Sequence, residues 1–215
     1  MLILGLIMAA LAASFLSATR ASNTSDYRIQ NLEEGRLLIE NLSKDLRTAA
    51  PPTQGAAPFF ADTLNAGKVL AGDKDVTFYA DLNTTGLPRK VRLYIDSTNP
   101  SEPVLTEIVQ APDDENATTA VFSTPAPAGK VKTRLVGRYI LNGGSYTDAI
   151  LIYEQADGTR VGPTPLTTTD AQNVRAITIK LKVRRSTSLS VAATTLETRV
   201  RLPNVIYGLQ AGATT

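Results

Sequence analysis

Hydrophobic and polar positions follow three regimes along the chain. Over residues 1–19 no side chain is charged, and only Gly5 and Ser14 interrupt the apolar residues of the first sixteen. Between residues 26 and 50 the apolar positions narrow to Leu32, Gly35, Ile39, Leu42, Leu46 and Ala49, spaced alternately three and four apart, with Leu38 widening the stripe. That is the period of an amphipathic helix, whose other faces carry Glu33, Glu34, Arg36, Glu40, Lys44, Asp45 and Arg47. Further on the period becomes two. Ile177, Ile179, Leu181 and Val183 alternate with Thr178, Lys180, Lys182 and Arg184, and Leu196, Val200 and Leu202 take the opposite parity from Glu197, Arg199 and Arg201. Such alternation predicts strands with one face on a core and one in water.

The first two regimes join without a break, since no proline occurs before Pro51. We therefore expect one continuous helix over about residues 2–49, stopped by Pro51 and Pro52 and weakest over residues 20–27, which are rich in Ser, Asn and Thr. Its apolar start has no basic residue ahead of it and no helix break behind it, which favours a membrane-held helix over a signal peptide. Gly35 costs helix stability by about 1 kcal/mol relative to Ala, so it marks a position of close packing.

After a connector rich in Pro, Gly and Ala, strand-like segments fall at 75–81, 89–96, 104–110, 130–141 and 149–154, the last turning at Asp157-Gly158 toward 159–161. No second helix long enough for parallel crossovers is visible, so antiparallel pairing follows. The expected fold class is α+β. A helix over residues 1–50, transmembrane over 1–19, is followed by a connector over 51–72 and an antiparallel β domain over 73–215. Leu32, Leu38, Ile39, Leu42 and Leu46 are expected to face the sheet.

The chain has 215 residues, 43% hydrophobic and 20% charged, which fits one globular domain beyond the apolar helix. It contains no cysteine and no histidine, which excludes disulfides, thiolate nucleophiles, Cys/His zinc sites and His-based triads. No G-x-S-x-G, S-x-x-K or Walker-type phosphate loop occurs. Asp81, Asn83, Thr85 and Gly86 imitate the opening of a calcium loop, but Arg92 stands where its closing glutamate belongs, so a polar hairpin turn is the better reading. Asp113, Asp114 and Glu115 are adjacent in a loop and would point apart, which suits solvation rather than acid/base chemistry. The expectation is a protein that is not an enzyme and uses no metal or cofactor.

A net charge of +2 is too small to argue for nucleic acid by itself. The distribution is less even, because Lys180, Lys182, Arg184, Arg199 and Arg201 would share one solvent face if their strands pair. That face is a candidate for an anionic ligand, nucleic acid included. Without interleaved aromatic residues for stacking, the solvated side of a sheet accounts for it better.

An apolar helix running into GRLLIENLSKDLRTAA over residues 35–50 resembles the N-terminal helix of type IV pilin-like proteins. The likeness is nearest to PilW-type minor pilins and the J-type minor pseudopilins of type II secretion. It is strong over the first fifty residues and diffuse over VTFYADLNTTGLPRKVRLYID and VRAITIKLKVRR. The resemblance implies a prepilin whose basic leader, cleavage-site glycine and early helical acid would all lie ahead of Met1. It also implies single-pass residence in the cytoplasmic membrane, with the globular domain outside the cytoplasm, and then incorporation into a filament or its tip complex at the cell surface. The partners would be other pilin or pseudopilin subunits. Leu2, Ile3, Leu4, Leu6, Ile7, Leu11, Phe15 and Leu16 would be the assembly surface. The alternative within the same fold is a DNA-uptake or adhesive minor pilin that uses the basic strands.

Overall fold

The computed structural model describes residues 2–49, 61–62, 68–69, 71–82, 87–100, 102–117, 120–142, 148–184 and 192–203. Helix α1 runs unbroken over Leu2–Arg47. At 1.5 Å per residue its 46 residues extend for about 69 Å. The Ser/Asn/Thr-rich stretch stays helical, and hydroxyls there fold back on the helix: Thr19 Oγ1 donates to the Phe15 carbonyl and Thr24 Oγ1 to that of Arg20. Lys44 and Arg47 occupy the last turn, where cations suit the exposed carbonyl ends. The helix closes tightly, with the Thr48 and Ala49 N–H groups bonded three residues back to Asp45 and Leu46. Ala49 then bridges Ala80, so the helix end is tied to a strand.

Nine strands are described. β1 (Ala61–Asp62) and β2 (Lys68–Val69) form a small antiparallel pair inside the expected connector, most of which lies outside the described residues. β3 (Asp75–Ala80), β4 (Arg89–Asp96), β5 (Val104–Gln110) and β6 (Val131–Arg138) make a four-stranded antiparallel meander in sequence order. β7 (Leu151–Glu154), β8 (Ala176–Val183) and β9 (Thr194–Arg201) make a three-stranded antiparallel sheet, and a short helix α2 (Thr168–Asn173) precedes β8. The expected turn after β7 forms: Glu154 bridges Arg160, the Gln155 N–H donates to the Thr159 carbonyl and the Val161 N–H to that of Tyr153, around Asp157-Gly158.

Both sheets meet beneath the helix. Beyond β6 the chain passes Tyr139, a non-glycine residue at φ 59°, and Ile140 bridges Val183. The Asn142 side chain completes the join: its Nδ2 donates to the Lys180 carbonyl and its Oδ1 accepts from the Lys182 N–H. β8 thus pairs with β7 along its first half and with the continuation of β6 along its second half. Leu38, Leu42, Leu46 and Ala49 of the helix share one core cluster with Val76, Phe78 and Val91 of the first sheet and Ile177, Ile179, Leu181 and Val200 of the second.

The buried stripe of α1 is rotated from the expected one. It runs through Asn31, Gly35, Leu38, Leu42, Leu46 and Ala49, with Ile39 half-buried at its flank. Leu32, expected to face the sheet, is instead 44% exposed. At about 100° per residue, Leu32 lies six positions and thus about 120° from Leu38, whereas Asn31 lies a heptad away and lines up with it. The space on that turn is therefore taken by Asn31. Gly35 sits where a Cβ would run into the Leu196 side chain of β9, which is the close approach its presence in the helix suggests.

Candidate functional site

Two surfaces and one buried cluster carry the chemistry that the fold positions. The first surface is the start of α1. Every described side chain over residues 3–23 is exposed, including Ile3, Leu4, Ile7, Leu11, Leu16 and Phe15, the last at 73%. The side chains of Leu2 and Leu6 lie outside the described residues. The most apolar 18-residue window of the helix has a mean hydropathy of 1.7 and none of it is buried, so this is not the core helix of the domain. By length and composition the helix can cross a membrane, and a single-pass anchor agrees with that. The apolar run ends near Thr19, a mostly polar and mostly exposed stretch follows to Gln30, and burial begins at Asn31, so one element has a bare apolar part and a packed part.

The buried cluster lies at the packed end. Asp45 of α1 faces Glu107 of β5 and Arg134 of β6; Arg134 Nη2 lies 2.5 Å from a Glu107 Oε2 that is almost closed to solvent and 3.6 Å from Asp45 Oδ2. Two carboxylates thus share one guanidinium at the seam between helix and sheet. Burial, together with the neighbouring Glu107 charge, pushes the Asp45 carboxyl up to about 6, against the pull of Arg134 and Lys44. The sequence pattern sets Asp45 among the polar faces of the helix. Its position a heptad after Leu38 is the signal that places it on the sheet side instead.

The second surface is the basic face. In the β8–β9 register Lys180 lies opposite Glu197, Lys182 opposite Thr195, Thr178 opposite Arg199 and Ala176 opposite Arg201. Residues opposite one another share a face, so Lys180, Lys182, Arg199 and Arg201 come together as expected. Arg184 follows the end of β8, its N–H bonded to the Tyr139 carbonyl. The face is less positive than the two strands alone suggest. β7 brings Glu154 alongside, and its carboxylate accepts from Arg199 Nε and from Thr178 Oγ1. Sequence reasoning missed Glu154 because the pairing of β7 with β8, not proximity along the chain, delivers it.

Of the weighed metal loop, Asp81 is exposed and residues 83–86 lie outside the described residues. Arg92, at the position where its closing acid would stand, instead makes a two-point pair with Asp75 of the neighbouring strand. No group of three or more Asp and Glu side chains that could hold a metal ion occurs among the described residues. The acidic loop has structural ties: Asp113 accepts from the Ser123 N–H and hydroxyl, and Glu115 lies 3.5 Å from Lys130 Nζ. In comparisons with known proteins, no family model matches the chain and no curated protein matches it.

Proposed function

We propose that this chain is a structural subunit of a type IV pilin-like assembly, a minor pilin or pseudopilin held in the membrane by the start of α1. The observation that carries the reading is the division of that one helix. One face of its last third is buried in the domain core, while its first third is apolar, continuous with the rest and packed on nothing among the described residues. A bare apolar rod is stable in a bilayer and equally in a bundle of like helices, where the same surface is covered by neighbours. Assembly then amounts to exchanging lipid for other subunits along Ile3, Leu4, Ile7, Leu11, Phe15 and Leu16. The resemblance of residues 35–50 to the helix end of PilW-type and J-type proteins supports the same reading, as does the absence of histidine and cysteine, which leaves little catalytic equipment.

The experiment is cysteine cross-linking in the native membrane, made simple by a chain with no cysteine of its own. Leu11→Cys or Phe15→Cys should give cross-linked species containing other subunits when the assembly genes are expressed together. Thr159→Cys, on an exposed turn of the domain, serves as the control. Only monomer from all three under assembling conditions defeats the proposal.

A second reading, ligand binding by the basic strands, is favoured by the shared face of Lys180, Lys182, Arg199 and Arg201. Duplex DNA binding that falls steeply with salt, about 0.9 in the logarithms per phosphate contact, would support it.

A further inference from the structure

The basic face is not uniform, and its most enclosed part is a hollow rather than a stripe. In the row Glu154–Ala176–Arg201, running across β7, β8 and β9, the central residue is alanine, and the small side chain leaves a depression between longer neighbours. Arg175, Arg199, Arg201 and Ala156 complete a cavity of about 140 Å³ above Ala176. Two of its three guanidinium groups are already held in place. Arg175 Nη1 donates to the Gln172 and Val174 carbonyls at 2.6 and 2.9 Å, and Arg199 is fixed by Glu154. Arg201 has no hydrogen bond or ion pair among the described residues and is exposed at the rim. Glu154 is ion-paired with Arg199, and Asp157, next to Ala156, also feels the Arg199 charge; three arginines against two carboxylates leave the hollow with an excess of positive charge.

We propose that this hollow binds a single oxyanion group, the carboxylate or phosphate of a small ligand or of a partner. Guanidinium donors recognise such groups through paired N–H bonds, and donors oriented beforehand lose less freedom on binding. The volume holds roughly four or five waters at about 30 Å³ each, which suits one such group. This inference is independent of the assembly reading and differs from an extended nucleic-acid face, for which Lys180 and Lys182 would count as much as Arg201.

The test is an NMR titration of the isotopically labelled full chain in a neutral detergent, with inorganic phosphate and acetate as separate probes. Saturable shifts at the Ala156, Ala176 and Arg201 amides are expected, with a dissociation constant on the order of 1 mM. Arg201→Gln removes no side-chain hydrogen bond or ion pair among the described residues and should weaken binding about tenfold, a change of about 1.4 kcal/mol. Arg175→Gln should weaken it as well, while Lys182→Gln, on the same face but outside the hollow, should leave it unchanged. A preference for phosphate points to a phosphoryl group and a preference for acetate to a carboxylate; either supports the site. No saturable shift, or equal losses from Arg201→Gln and Lys182→Gln, would overturn it.

Discussion

Leu38 of the helix occupies the space that a side chain on Gly137 would need: a Cβ built on that glycine would overlap both Leu38 methyl groups. Gly137 is the one buried residue of β6, next to the irregular register between Leu105 and Thr106 of β5. The helix therefore seats the fully buried Leu38 into a notch of the first sheet. Gly137→Ala should force Leu38 off its position and lower stability by about 1–3 kcal/mol, as overpacking does. Denaturant unfolding of the full chain in detergent measures it, and an unchanged midpoint would mean that the notch can open freely.

The Asp45 cluster makes the helix–sheet seam sensitive to pH, stronger in acid than at neutrality. The carboxyl titrates near 3.8 when unfolded and at about 6 when folded, so the folded state holds the proton more tightly. The sign follows: this group favours folding most below its unfolded value, and the contribution is lost as pH rises through about 6. Asp45→Asn, which needs no proton, should therefore raise stability at pH 7 by about 1–2 kcal/mol after allowance for solvent screening, and change it little at pH 4. Unfolding of both proteins across pH 4–8 reads the difference, and equal gains at both ends would contradict it.

Thr77 is fully buried on β3 with its hydroxyl unpartnered among the described residues. A buried hydroxyl without a partner costs about 1–3 kcal/mol, and valine keeps its shape and suits a strand. Thr77→Val should raise stability by about 1 kcal/mol; a loss instead would reveal a partner for the hydroxyl.

Among the described side chains, removing residues 1–21 deletes none that the domain buries. The shortened chain should stay folded and monomeric in plain buffer, with a stability within about 0.5 kcal/mol of the full chain, which should need detergent or membrane. Sedimentation of both forms with and without detergent decides the matter.

Much of the architecture was legible because period two and period 3.6 are local signals. The strands around Val76, Val91, Leu105 and Ile177 and the helix up to Arg47 lie close to where alternation and spacing put them. What could not be read was rotation and partnership. Leu32 and Asn31 are neighbours in sequence, and hydrophobicity alone prefers Leu32 for the core. The choice of Asn31 depends on where Leu196 and Gly137 sit beneath the helix, which only the assembled sheets determine. The basic strands were likewise legible as a face, but Glu154 and the hollow at Ala176 arise from β7, whose register the chain does not announce.

The unbroken course of α1 also fixes how a mechanical load would travel. Tension applied to its exposed start passes along a rod with no proline joint and arrives at Leu38, Leu42 and Leu46, which sit in the same cluster as strands of both sheets. These contacts lie side by side along the helix axis and would have to shear together instead of opening one after another. The domain is thus harnessed to its own helix: a pull that detached the rod would also dismantle the core.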